Sequence, residues 1–317
     1  MGYNSERLIE LIRRNSMILT EGAVVERLRR TFKIKPDDFI VYAGAIYDKT
    51  TREILKNIYK EYIDIGIKYK LPIMIMASTR RANKDRIKQS KYNNNNVNFD
   101  YIEFLNEIRA EYSEYKENIF IGALIGTKGD SYNVNEALKE EVAYEFHKYQ
   151  CNIFKESKAD FVFAGVVPSV NEAKGLSKAM EETKLPYIVS FIVNKKGELL
   201  DNTSINDAIK EIDKYYNPMI YMINCVHPKN VLLGLNMEEN KTLIVRNRLK
   251  GIQANTSSLS PEELNNNSIL QEDNFDELIN GIKELKSKFG FNILGGCCGT
   301  NAKHIEEIAR IIGRYRK

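Results

Sequence analysis

Several common protein classes are marked by features that this sequence lacks. No apolar stretch approaches the ~20 residues that a membrane-spanning helix needs. The opening segment, Met1 to Asn15, alternates charged and apolar residues at helical spacing and has no signal-peptide core. A soluble, cytoplasmic protein is expected. Neither sign of charge dominates: 47 Lys+Arg against 43 Asp+Glu leave a formal net charge of +4. The charges are scattered, so there is no electrostatic case for a nucleic-acid partner. Four cysteines in 317 residues are too few for a disulfide framework, and a reducing compartment favours thiols or metal ligation over bridges. No short-period repeat or shift of composition marks a boundary, so residues 1–317 read as one domain.

What the sequence does contain is an alternation of short apolar runs with amphipathic stretches. Strand-like runs occur at Met17–Thr20, Pro72–Ala77, Ile119–Ile125, Phe161–Val167, Tyr187–Val193, Met219–Val226, Gly251–Ala254 and Phe291–Leu294. Between them, apolar residues recur at helical spacing over Thr51–Lys70, Phe99–Lys116, Asn135–Ser157, Val170–Thr183, Ser204–Tyr216 and Asn274–Phe289. Asn135, Ser204 and Asp273-Asn274 are placed as helix-start signals, and Pro72 and Pro186 sit at strand entrances. Runs as continuously apolar as Tyr187–Val193 suit strands buried on both faces. Eight such units predict an α/β fold, a closed parallel (β/α)8 TIM barrel. The alternative, an open doubly wound sheet, is weakened because no GxGxxG turn follows the first strand. The units between Asn230 and Lys250 are irregular. The asparagine tract Asn93–Asn96 reads as an exposed connection, and Asn255 to Asn267 as a loop followed by a short helix.

In a parallel barrel, chemistry sits at the C-terminal ends of the strands. Cys225 closes the sixth apolar run, and Cys297 and Cys298 close the last, within Gly295-Gly296-Cys297-Cys298-Gly299-Thr300. Three thiols distant in sequence would meet at one rim. Three thiolates are a good set of ligands for Zn2+ and leave a fourth position open, as catalytic sites do. A substrate thiol bound there would lose its proton near neutral pH and stay nucleophilic toward a methyl group. Neighbouring residues on a strand face opposite ways, so Cys297 and Cys298 need a bend, which Gly295, Gly296 and Gly299 permit. Vicinal cysteines beside glycines can equally be buried structural thiols. Cys151, inside a helical pattern, reads as a core thiol. His147 and His227 read as structural, Asn224 as a donor beside a ligand, and Thr300 as a cap of the last helix.

The double-cysteine segment with His304-Ile305, together with Ile223-Asn224-Cys225-x-x-Pro228, resembles the homocysteine S-methyltransferase family. Glu21-Gly22-Ala23, Ser78-Thr79-Arg80-Arg81-Ala82-Asn83, Ile121-Gly122-x-x-Ile125-Gly126, His147-x-x-Gln150, Ala159-Asp160, Pro168, Glu172-Ala173 and Ser190-Phe191 follow in the family's order. The resemblance covers nearly the whole chain. It implies zinc held by Cys225, Cys297 and Cys298, which act catalytically through the metal. It also implies methylation of homocysteine to methionine by a donor such as S-methylmethionine, S-adenosylmethionine or betaine. The partners implied are thus a small-molecule thiol acceptor and a methyl donor, with no nucleic acid and no membrane. Substrate contacts fall on Glu21, Gly22, Ser78, Thr79, Gly165 and Asn224.

The departures from the family pattern lie on the substrate side. The family has a Glu before Thr-x-Pro that helps hold the amino group of homocysteine. Here Gly165 occupies that place, in Gly165-Val166-Val167-Pro168. The first-strand Asp is Glu21, the second-strand Asn is Ser78, and the aromatic residue after Thr79 is Arg80. Either Arg80 or Arg81 can clamp a carboxylate or phosphate. Two rival functions follow: a zinc methyltransferase for a different small thiol or selenol, and a non-catalytic metal- or thiol-binding barrel.

Overall fold

A computed structural model describes residues 2–259, 263 and 274–314. Eight strands form a closed barrel in which each pairs in parallel with its neighbours in sequence, and the first pairs with the last. They are β1 (Ile18–Thr20), β2 (Ile73–Met76), β3 (Ile119–Ile125), β4 (Phe161–Val167), β5 (Tyr187–Phe191), β6 (Ile220–Val226), β7 (Leu249–Ala254) and β8 (Ile293–Gly296). All eight expected runs are strands, and the open-sheet alternative is excluded by the β1–β8 pairing, Ile18 opposite Ile293.

Alternation along each strand divides the core in two. Ile18, Met74, Phe120, Phe161, Phe163, Ile188, Met222 and Ile293 fill the barrel interior. Leu19, Ile73, Ile121, Val162, Val189, Ile223 and Leu294 face the surrounding helices. An N-terminal helix, α1 (Tyr3–Arg13), closes the bottom: Leu8 joins the interior cluster, and Ser5 Oγ donates to Asp160 O at 2.7 Å. A second tie at this end is Arg109, whose guanidinium reaches Asp160 Oδ2 at 2.5 Å. The bottom is therefore plugged, and polar side chains can gather only at the opposite end.

Helix boundaries follow the capping chemistry. Asp48 caps α3 (Lys49–Tyr69), which is preceded by the short α2 (Val25–Arg30). The chain continues through α4 (Lys84–Gln89) and α5 (Val97–Ala110), and the asparagine tract before α5 is exposed as expected. The helix expected from Asn135 instead begins five residues later, as α6 (Glu140–Glu156). Asn135 lies in a 3-10 turn, where its amide donates to Asn133 Oδ1. Glu172 decides this: its buried carboxylate accepts the Lys128 and Leu138 amides at 3.3 and 3.2 Å, drawing the incoming chain across α7 (Val170–Glu181). His147 Nε2 lies 3.3 Å from the same carboxylate, so the structural reading of that histidine holds.

Ser204 caps α8 (Ile205–Asp213), as expected. The irregular stretch after Asn230 resolves into α9 (Pro228–Leu235), a 3-10 turn and α10 (Leu243–Arg248). Asn274 caps α11 (Phe275–Phe289), and α12 (Ala302–Arg314) ends the described chain. Of the expected loop and short helix at Asn255–Asn267, residues 255–259 form a loop; 260–262 and 264–267, as well as Asp273, lie outside the described residues. No helix among the described residues is long and apolar enough to cross a membrane.

Candidate metal centre

On a regular strand Cys225 would face away from the barrel interior, because Asn224 before it faces inward. The end of β6 breaks the alternation. Its register against β7 shifts between Asn224 and Val226, and Cys225 adopts a left-handed φ of 60°. A bulge of this kind re-aims a side chain, and here it brings the thiol to the end of β8.

The other two thiols come from the turn that follows β8. Cys297 N donates to Ala254 O at 2.7 Å, and Thr256 N donates to Cys298 O at 3.1 Å. Gly299 completes the turn at φ 80°, a conformation that disfavours any side chain. Gly295 and Gly296 do not bend the chain, contrary to expectation. Both lie within β8 and provide room, since a Cβ on Gly295 would overlap Thr20 and one on Gly296 would overlap Thr300. Nor does Thr300 cap the last helix. Its hydroxyl donates to Cys297 O at 2.7 Å and accepts from Ala23 N at 3.1 Å, while Asn301 accepts the Lys303 amide at the helix start. Thr300 is a clasp between the cysteine turn and the chain leaving β1.

The three sulfurs all lie within 4.8 Å of one another. Cys225–Cys298 and Cys297–Cys298 are each separated by 4.0 Å. A tetrahedral site with Zn–S near 2.3 Å requires sulfur atoms about 3.8 Å apart, so both separations from Cys298 suit zinc, and the third would suit it once Cys225 and Cys297 are apart. Two of the three, Cys225 and Cys297, are joined as a disulfide, their Cα atoms 5.5 Å apart. The bulge and the turn bring these two residues within the spacing at which cysteines bridge. The pair must be reduced before all three can act as thiolates.

Cys298 is a free thiol, half-buried at the rim. Burial pushes its pKa up to about 11; Glu26 pushes the same way, and Arg80, Arg29 and Arg30 pull it back. Cys151 is also free, but it is buried on α6, and burial raises its pKa further still. It belongs to the packing, as expected. His227 caps α9 by accepting the Lys229 amide at Nδ1.

Below the sulfurs, the last inward-facing position on most strands is small or neutral and polar: Thr20, Gly165, Ser190, Asn224, Gln253 and Gly295. Asn224 Oδ1 accepts the Val166 amide at 2.8 Å, which leaves its Nδ2 directed toward Gly165. Gln253 Nε2 reaches Thr20 Oγ1 at 3.4 Å. Ser190 Oγ is buried without a hydrogen-bond partner among the described residues. Thr20 and Gln253 were not singled out in the sequence, although a polar residue at the inward parity of a buried strand was available as a signal.

The remaining candidates divide. Glu21 is buried, and its Oε2 accepts the Met76 amide at 2.9 Å. Burial holds its carboxyl well above the usual range, with the Met76 amide opposing. Gly22 gives space to Tyr62, whose hydroxyl would lie 2.8 Å from an added Cβ. Thr79 is fully buried, and its hydroxyl donates to Leu124 O at 2.8 Å, tying β2 to β3. Ser78 Oγ lies 3.3 Å from Tyr59 Oη. Arg81 donates to Gly129 O at 2.8 Å. Arg80 makes no hydrogen bond or ion pair with a described residue, and its charge acts on both Cys298 and Tyr132.

The barrel has counterparts among known proteins. The family model for homocysteine S-methyltransferase matches residues 18–312. The chain belongs to this family of methyltransferases. Homocysteine S-methyltransferase YbgG of Bacillus subtilis is 25% identical over 219 residues, covering 64% of this chain and 66% of that protein. The selenocysteine methyltransferase of Astragalus bisulcatus is 23% identical over 185 residues, covering 57% and 52%. The chain thus spans between half and two thirds of the length of the curated relatives it matches. The metallated form of the homocysteine methyltransferase MmuM from Escherichia coli superposes with a TM-score of 0.72 at 15% identity, covering 95% of this chain and 98% of that one. Its oxidised form gives 0.71 at 14%, covering 95% and 97%. At such identities the structures establish a shared fold.

Proposed function

We propose that this chain is a zinc-dependent S-methyltransferase that moves a methyl group from a sulfonium or ammonium donor to a small thiol, homocysteine in the family's reaction. The observation that carries the reading is the convergence of Cys225, Cys297 and Cys298 at the C-terminal rim of a barrel from this family. A metallated form is known for the Escherichia coli neighbour. Once reduced, the three cysteines would hold the ion. Zinc held there would supply Lewis acidity that lowers the pKa of an acceptor thiol.

The chain's own residues set the stage for that step. The β6 bulge and the Cys297–Thr300 turn bring the three residues to one place on the rim, so that on binding only the Cys225–Cys297 pair has to part. The neutral wall of Asn224, Ser190 and Gln253 offers hydrogen bonds to the acceptor without competing for the metal. In the transfer itself, the acceptor sulfur forms a bond to the methyl carbon in line. The donor's C–S or C–N bond breaks, its electron pair returns to the donor atom, and the acceptor's proton goes to solvent.

The test is metal analysis of the reduced protein combined with a methyl-transfer assay. About one zinc per chain is expected, lost on Cys225→Ser, Cys297→Ser or Cys298→Ser, with product formed from a thiol and one of the three donor types. Zinc retained by all three variants sinks the metal assignment. Zinc bound without turnover for any donor and thiol favours a binding protein instead.

A further inference from the structure

The charges around the cysteine cluster are unbalanced in one direction. Among the residues that end the strands on the inner wall, Thr20, Gly165, Ser190, Asn224, Gln253 and Gly295, none is ionisable. Of the nearby carboxyls, Asp130 accepts the Tyr132 amide at 3.0 Å, and two others are likewise committed. Glu21 accepts the Met76 amide and is pushed toward its neutral form by burial. Glu26 pairs with Arg30 at 2.9 Å and accepts the Gly299 amide. Nothing on this wall is left to neutralise a substrate ammonium.

The cationic side is different. Arg80 follows β2 at the same rim, and its aliphatic stem crosses the end of β3 over Gly126, where a Cβ would overlap the stem and come within 2.9 Å of the Arg80 carbonyl. That contact fixes the stem while the guanidinium stays without a hydrogen bond or ion pair to any described residue. Its neighbour Arg81 is spent on Gly129 O. A partly buried guanidinium held in place but unpaired is a fork of donors suited to a planar anion.

We infer that Arg80 is the residue that sets acceptor specificity, and that the site takes thiols carrying an anionic tail, bound through Arg80, without requiring an α-ammonium group. This rests on the transferase reading for the position of the thiol, but not for the binding preference itself. The class includes mercapto-carboxylic acids and their sulfonate counterparts. Homocysteine qualifies through its carboxylate alone.

Equilibrium binding separates the two readings. Calorimetric titrations of the reduced, zinc-supplied protein use homocysteine, its deamino analogue 4-mercaptobutanoate and the uncharged 4-mercaptobutan-1-ol. The expected result is that 4-mercaptobutanoate binds within about 10-fold of homocysteine, and about 10- to 100-fold more tightly than the alcohol, the range for hydrogen bonds to a charged group. Arg80→Met should erase the acid–alcohol difference while leaving the affinity for the alcohol unchanged. Arg80→Lys should keep part of it, which guards against a folding artefact. The inference is overturned by any of three results: a preference for homocysteine over its deamino analogue beyond 10-fold, an acid–alcohol ratio that survives Arg80→Met, or no binding of the acid at millimolar concentration. The expected binding pattern without methyl transfer would sink the transferase reading and leave this one standing.

Discussion

Asn224 Oδ1 accepts the Val166 amide at 2.8 Å, joining two strand ends that both leave regular geometry. Val166 and Cys225 have φ of 59° and 60°, and the pairing of β4 and of β6 shifts at these residues. Positive φ is a genuine outlier for a β-branched valine, and such strain persists where the surroundings over-determine it. One side-chain amide thus braces the bulge that aims Cys225. Asn224→Leu removes the acceptor and leaves a buried amide unpaired. A loss of about 1–3 kcal/mol of stability is expected in urea denaturation, with weakened zinc binding in a chelator competition. Unchanged zinc affinity would mean that the bulge holds without its brace.

The cysteine pairing makes metal loading redox-dependent. Four free thiols are expected from the reduced chain and two from the oxidised one, with zinc taken up only by the reduced form. Thiol titration in denaturant, run beside zinc analysis, checks both. Equal zinc content in the two forms would remove Cys225 and Cys297 from the ligand set.

Gly165 stands where the family resemblance of the sequence leads one to expect an acid. A Cβ there would lie 3.0 Å from Leu124 Cδ1, 3.3 Å from Phe163 Cε1 and 3.5 Å from Asn224 Nδ2, so Leu124 and Phe163 must both give way slightly. Gly165→Glu is expected to improve homocysteine binding about 10-fold over 4-mercaptobutanoate by supplying a partner for the ammonium. The ratio of the two dissociation constants in variant and parent measures this; an unaltered ratio means the new carboxylate does not reach the amino group.

Glu21 makes stability depend on pH. Its folded pKa is raised above the unfolded value, so the folded state holds this proton more tightly. The contribution is fully present below the unfolded pKa and is lost as pH rises through the folded one. Glu21→Gln keeps an acceptor for the Met76 amide and removes the titration. Its urea midpoint should gain on the parent as pH rises from about 4.5, the ordinary glutamate range, toward 8. Parallel curves would show that the carboxyl ionises at little cost.

How much of this could be read from the chain depends on the range of the interaction concerned. The barrel was legible because period, length and strand count are local properties: Tyr187–Val193 is apolar throughout since both faces of its strand are buried. The start of α6 was not, because Glu172, on the following helix, pulls residues 128–138 into another path. Thr300 was misread for a similar reason: its partners are Cys297 O and Ala23 N, and Ala23 is distant in sequence.

The same division applies to the three cysteines. By itself the sequence determined their identity, their place at two strand ends and the neutral Gly165 beneath them, since residue type and strand parity need no knowledge of neighbours. Only the tertiary structure decided that Cys225 turns inward on a left-handed bulge, that Cys225 and Cys297 pair, and that Arg80 stands over Gly126 without a partner among the described residues. Those outcomes depend on contacts between strands far apart in the chain, which no local pattern encodes.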